Sequence, residues 1–408
     1  MKIRRGYPVF TVTEKAEESL RNGHPWVYGE EITAEDGDYV NGELADVVSA
    51  KGAYLGTGLI SEKSKIKVRI ISTNANDLFD EAFWKRRLKY AFDYRLTVMG
   101  ETDFTVCRLI FGEADGMPGF TLDRFNDVLV SEVLSYGMDR IKGVIYKNAF
   151  ELLSDMGYPV KGVYERNDSA LRELEGLEEY KGWYEELPHP DKTYTHIVEN
   201  GIRYLVDFEN GQKTGFFLDQ KYNRLAVSKL CKGKNVLDCC THTGSFALNA
   251  VKGGAAHVTA CDISSSALEC ARHNAELNGM EDKMDFVCAD IFDLLPSLYE
   301  QKKRDYDLII LDPPAFTKSR KTILSASHGY REINFRAMKL LKRGGYLATA
   351  SCSHFMEDKL FVKNIASAAA EAGVQLKQIE ARTQGPDHPI LWGVPETNYL
   401  KFYIFQVI

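Results

Sequence analysis

Nowhere does this 408-residue sequence hold an apolar run near the roughly 20 residues that a helix needs to cross a bilayer. Its start, MKIRRGYPVF, carries positive charge but lacks the apolar core of a secretion signal. The eight cysteines form no C-x-x-C pair of metal-binding spacing, and a chain of this length builds its core without disulfides. Cys239 and Cys240 are neighbours in a strand-like run, so they face opposite ways and cannot bridge each other. A basic excess is missing as well: the net charge of −7 argues against nucleic-acid binding by bulk charge. These absences speak against a membrane span, a disulfide scaffold and a metal centre, and they place the chain in the reducing cytoplasm.

What is present is apolar material, 44% of residues, enough for two or three separate cores. Positive charge is clustered at Lys2-Arg4-Arg5, Lys63-Lys65-Lys67-Arg69, Lys85-Arg86-Arg87-Lys89 and Lys318-Arg320-Lys321. Such runs are most often solvated faces. The second alternates with Ile66, Val68 and Ile70, which predicts a strand with one basic and one buried face.

Up to about residue 72, strand-like runs (7–13, 43–48, 53–59, 65–71) are parted by turn dipeptides such as Asn22-Gly23 and Asn41-Gly42. This predicts a small β module of barrel type. Within it Trp26 is either a core aromatic or a base-stacking residue. Asn74, Asn76 and Asp77 read as a linker that becomes a helix cap. The helix over 77–98 carries Phe83, Trp84, Leu88, Phe92 and Leu96 at helical spacing. Strands over 106–111, 120–124, 128–134 and 162–165, with a helix over 140–153, make the middle region α+β. Glu113 and Asp115 there read as turn acids. A break at 187–189 precedes the last region.

Residues 234–248, KNVLDCCTHTGSFAL, read as strand, small-residue loop and helix. That is the opening unit of a doubly wound α/β sheet, whose ligands sit beyond the carboxyl ends of strands. One loop glycine does not satisfy the dinucleotide fingerprint G-x-G-x-x-G, which counts against a nicotinamide-dependent dehydrogenase. Three further strand-like runs end in Asp262, Asp290 and Asp312, so four successive strands deliver an acid at the carboxyl end. Asp262 suits two ribose hydroxyls and Asp290 an adenine amine; the competing duty for each is to cap the next helix.

The segments TGFFLDQ, VLDCCTHTGSFAL, LDPPAF and SCS, with the acid at Asp262, resemble a class I S-adenosylmethionine-dependent methyltransferase. With HPWVY, GEADGMPGFTLDRF and the Gly329–Asn334 segment, the whole chain is similar to the bacterial large-subunit rRNA cytosine-5 methyltransferase family. The resemblance implies an α/β fold in three parts. These are a PUA-like RNA-binding β-barrel domain (1–73), a central α+β domain (74–188) and a Rossmann-like class I methyltransferase domain (189–408). It implies S-adenosylmethionine as cofactor. Asp238, Thr243 and Gly244 would hold its methionine end, Asp262 its ribose and Asp290 its adenine, with Thr214, Phe216 and Gln220 closing over it. RNA of the large ribosomal subunit would be the partner, with a homodimer left open and no membrane.

Chemistry adds an independent argument. Carbon 5 of cytosine is too weak a nucleophile for a sulfonium methyl until a thiolate adds to carbon 6, so the base pocket needs a cysteine. Cys352, after the fifth strand, is the candidate nucleophile. Asp312 would hold the ring's N3 and amine, and Pro313, Pro314 and Phe316 would contact the base. The thiol needs a nearby cation to ionise, and His354 is the nearest in sequence. The rival duty of Cys352 is a buried structural thiol. A D-P-P segment followed by an aromatic is also similar to the motif of amino-group methyltransferases, which need no cysteine. A non-catalytic RNA-binding adaptor is the remaining alternative.

Overall fold

The computed structural model describes residues 5–302 and 305–408; Lys2 and Arg4 of the first basic cluster lie outside the described residues. No helix among the described residues is long and apolar enough to cross a membrane. Packing divides the chain into two units. One takes in the described residues up to Ile197 with Val206–Leu218 and Pro386–Thr397. The other takes in Val198–Leu205, Asp219–Gly385 and Asn398–Ile408.

The first unit contains two sheets. The amino-terminal one has six strands, in the order Trp26–Tyr28, Ile66–Ser72, Tyr54–Ile60, Leu44–Ser49, Val9–Val12, Ile32–Asp36. Its two edge strands are joined by only Gly29–Glu31. So short a link forces the edges towards each other and curls the sheet in the barrel-like manner expected. Phe10, Val12, Val27, Val47, Ile60 and Val68 fill its interior. The expected basic face of the Lys63–Arg69 run is broken, because Arg69 is buried and donates to Glu175 at 2.7 Å. Trp26 is half-buried and donates its indole N–H to Glu113 at 3.0 Å, so Glu113 has a structural task.

The second sheet of this unit has five strands, ordered Tyr180–Trp183, Gly162–Asn167, Val128–Val133, Phe120–Phe125, Val106–Phe111. Helices Glu81–Phe104 and Tyr136–Asp155 bury Phe83, Leu88, Phe92, Ile145 and Leu153 in the same core. The first of these helices starts four residues later than Asp77 suggests. Asp77 accepts from Ser72 (2.6 Å) and Asn74 (3.2 Å) in a turn, and Asp80 is the cap, accepting from the Phe83 N–H at 3.0 Å.

The other unit is built on a seven-stranded sheet: β1 Asn235–Cys239, β2 His257–Asp262, β3 Met284–Cys288, β4 Leu308–Leu311, β5 Tyr346–Ser351, β6 Leu376–Arg382 and β7 Lys401–Val407. Their order is β3-β2-β1-β4-β5-β7-β6. β1 to β5 run parallel, and β7 is antiparallel to both β5 and β6. Central parallel strands are covered on both faces, which is why β4 reads Leu-Ile-Ile-Leu, with all four residues buried. β6 goes unseen in the sequence because LKQIEAR, an edge strand, has no buried face to advertise. The order reverses between β1 and β4, and an open α/β sheet binds its ligands at the carboxyl ends beside that reversal.

Candidate active site

Beyond β1 the chain passes through Cys240, His242 and Gly244 with φ of 62°, 50° and 81°. The left-handed conformation costs a non-glycine residue about 1–2 kcal/mol, so outside contacts must hold this loop. The Thr241 N–H donates to the Cys261 carbonyl (2.8 Å) and the His242 N–H to Asp262 Oδ2 (2.8 Å), tying the loop to the end of β2. A Cβ added at Gly244 would stand 3.0 Å from that of Ala271, so glycine serves both the turn and the close approach.

Asp238, the penultimate residue of β1, is fully buried and accepts from the Thr241 hydroxyl at 2.6 Å. Its Oδ1 and the Thr243 hydroxyl are buried without a side-chain partner among the described residues. Burial, with Asp312 and Asp262 adding repulsion, pushes the Asp238 carboxyl up to about 8. An unsatisfied buried polar atom costs about 1–3 kcal/mol, so the loop stands ready for a donor-rich, positively charged ligand. The amino-acid end of a sulfonium nucleoside has that character.

At the end of β2, Asp262 accepts from the His242 and Ser264 N–H groups (2.8 and 2.9 Å). Ile263 beside it is 70% exposed, an apolar surface that the sequence did not single out. Asp290 takes up the helix-capping duty, accepting from the Phe292 N–H at 2.9 Å. Phe292 itself is exposed.

Asp312 directly follows β4 and accepts through Oδ1 from Gln220 Nε2 at 2.9 Å. Gln220 is oriented in turn by Asn223, whose Nδ2 donates to its Oε1 at 2.7 Å. Burial, then Asp219, push the Asp312 carboxyl up to about 7. Cys352 follows β5 and is half-buried, with Sγ 3.9 Å from the Pro313 carbonyl. The loops after β4 and β5 are stapled together: the Ser353 hydroxyl donates to the Thr317 carbonyl (2.9 Å), and the Thr317 N–H donates back to Ser353 Oγ (3.3 Å).

Thus Asp312, Pro313, Gln220 and Cys352 are neighbours, and Asp238 lies within electrostatic range of Asp312. Other expected residues are engaged elsewhere. Thr214 and Phe216 belong to the first unit, where the Thr214 hydroxyl donates to Asp123 at 2.5 Å. Phe316 is half-buried, its ring 4.6 Å from that of Tyr330, while Pro314 is exposed. His354 is exposed and packs edge-on against Phe355, so it is not the cation beside the thiol. That position goes to Lys401 at the start of β7, 50 or so positions away in sequence and invisible until β7 pairs with β5.

A family model for S-adenosylmethionine-dependent methyltransferases matches residues 182–398, and one for a PUA-like domain matches residues 10–73. The ribosomal RNA large subunit methyltransferase I of Aeromonas salmonicida is 40% identical over 388 residues, covering 94% of this chain and 96% of that protein. The chain belongs to the S-adenosylmethionine-dependent methyltransferase family. This methyltransferase is also similar to the ribosomal RNA large subunit methyltransferase I of Klebsiella pneumoniae, 38% identical with 98% of this chain and 99% of that protein covered. A solved structure from Streptococcus mutans superposes with a TM-score of 0.81 at 21% identity, covering 98% of this chain and 99% of that one. At that identity the likeness speaks to the fold. S-adenosylmethionine is the cofactor of this methyltransferase, and the orphaned Asp238 Oδ1 and Thr243 hydroxyl fit it.

Proposed function

We propose that this methyltransferase acts on large-subunit ribosomal RNA in the cytoplasm and methylates carbon 5 of a cytosine through a Cys352 thiolate. The RNA class follows the names of the relatives. The carbon is supported chiefly by one observation, the thiol of Cys352 beside the Pro313 carbonyl and next to Asp312. In keeping with the family resemblance, the three-part division at residues 73 and 188 assigns RNA capture to the PUA-like domain.

The cofactor supplies an electrophilic methyl group. The chain's own residues prepare the acceptor. Cys352 Sγ forms a bond to carbon 6, and the electron pair displaced makes carbon 5 an enamine carbon. Asp312, with a pKa near neutrality, is placed to give a proton to N3 as that pair moves, while Gln220 fixes its Oδ1 and leaves Oδ2 for the base. After methyl transfer the carbon 5 proton leaves to solvent, its electron pair forms the carbon 5–carbon 6 double bond and expels Sγ as the thiolate, and N3 returns its proton to Asp312. Asp238, Thr243, Gly244, Asp262 and Asp290 are assigned to the cofactor, as in the family. For Thr214 and Phe216 the assignment rests on the resemblance alone.

Methylation of the exocyclic amine through Asp312-Pro313-Pro314 is the second reading. It needs a carbonyl of the motif free for the amine and an aromatic open to the base. Here the Pro313 carbonyl faces the thiol and Phe316 packs on Tyr330, which favours carbon. Digestion of RNA methylated by the enzyme, followed by nucleoside mass spectrometry, tests the choice. We expect 5-methylcytidine; an N-methylated nucleoside would move the amino-group reading ahead.

A further inference from the structure

Lys401 is 6% exposed, yet it makes no ion pair among the described residues. Its ammonium donates to the Ser353 carbonyl at 2.6 Å and to the Tyr399 carbonyl at 2.8 Å. Two neutral acceptors leave the third hydrogen without a partner, and the charge without a contacting carboxylate, among the described residues. Burying an ammonium in this way costs several kcal/mol, and a lysine is almost never fully buried without a pairing group. The register between β5 and β7 sets Lys401 against Ser351, the residue before Cys352, and its first carbonyl partner belongs to the residue after it. The ammonium is therefore anchored on the turn that carries the thiol.

Most of what surrounds Cys352 opposes a thiolate. Burial pushes it up, Asp312 and Asp219 repel a negative sulfur, and Tyr330 offers no charge; besides its own backbone hydrogen bond, Lys401 is the one charged side chain among the described residues that favours ionisation. Asp358 acts on Lys401 at electrostatic range without touching it, and accepts from the Tyr403 hydroxyl at 2.6 Å. Burial pulls Lys401 down to about 8, so it keeps its proton near neutrality while remaining poorly solvated.

We propose that Lys401 is a positioning residue for the nucleophile, its buried ammonium holding the Cys352 thiolate in place once the thiol has released its proton to solvent. The proposal rests on Cys352 being the nucleophile and adds what activates it. It also gives the unpaired lysine its counter-charge, present only when the thiol ionises.

The test is the pH profile of Cys352 alkylation by iodoacetamide in the full-length protein, read at that residue by peptide mass mapping. Lys401→Gln keeps donors for the two carbonyls and removes the charge, whereas Lys401→Arg keeps the charge. In Lys401→Gln the profile should move at least one unit to higher pH, with at least a tenfold slower reaction at pH 8 and a parallel fall in kcat. Lys401→Arg should recover most of both. Should Lys401→Gln melt earlier but keep the wild-type profile and kcat, Lys401 is a structural tether and the proposal is overturned. Product formation by Cys352→Ala separates the two readings: loss of product there with an unmoved Lys401→Gln profile discards Lys401 alone, whereas normal product there discards the thiolate itself.

Discussion

Asp238 and Asp312 end adjacent parallel strands, and burial keeps both carboxyls reluctant to ionise. A carboxyl whose folded pKa is raised contributes stability below its unfolded value near 3.8 and loses it as pH climbs to about 7 for Asp312 and about 8 for Asp238. A positively charged ligand prefers Asp238 ionised, so its binding expels a proton there, whereas Asp312 serves the base and keeps its proton for N3. S-adenosylmethionine should therefore bind more tightly as pH rises from 6 to 8.5. Calorimetry in buffers of different ionisation heat should show proton release; a flat affinity with none would mean that Asp238 carries the same charge in the free and bound protein. Sequence sufficed to name these acids, since each ends an apolar run. It could not give their protonation, which depends on β1 and β4 being neighbours, nor find Lys401, whose role exists only across the β5–β7 pairing.

At the scale of elements, the two loops that carry the chemistry make different demands. The loop after β1 needs Gly244, with φ of 81° and Ala271 against it. Gly244→Ala should lower stability by about 1–2 kcal/mol from the backbone term alone and weaken S-adenosylhomocysteine binding by tenfold or more in a titration. The segment after Phe316 presents Lys318, Arg320 and Lys321, all exposed and without an ion pair among the described residues. By contrast Lys85, Arg86 and Lys89 are paired with Glu151, Asp77 and Asp93. Sequence gives both clusters equal weight; only packing reveals which is spent. Changing Lys318, Arg320 and Lys321 together to Glu should raise KM for RNA and flatten its salt dependence, the slope falling by about 0.7–0.9 for each phosphate no longer neutralised, with cofactor binding intact. Filter binding at several salt concentrations checks it. The strands of the carboxyl-terminal sheet were legible from their apolar runs, apart from edge strand β6, whose alternation is too polar to announce a core.

For the molecule as a whole, the division into units is the least legible feature. Val206–Leu218 and Pro386–Thr397 pack with the amino-terminal residues, although both lie beyond the expected domain break near residue 189. Such membership is set by pairings between distant residues, for example the Arg95 guanidinium donating to the Asp387 carbonyl at 2.8 Å. Within the other unit Arg224 grips Glu199 through two hydrogen bonds of 2.7 and 2.8 Å with both side chains buried. Arg224→Met strands that carboxylate and should cost about 3–5 kcal/mol, seen as an earlier thermal transition of this unit. Glu199→Leu in the same chain should return much of the loss, and no return would mean that the pair is not what the arginine stabilises.

Carbon methylation stands or falls with sulfur attacking the base. The direct measurement is intact-mass analysis of the enzyme after turnover with S-adenosylmethionine and RNA carrying 5-fluorocytosine at the target, where fluorine blocks the final proton loss. A covalent protein–RNA species that maps to Cys352 and vanishes in Cys352→Ala is the predicted result. Full methylation of ordinary RNA by Cys352→Ala, with no adduct in the wild type, would contradict it.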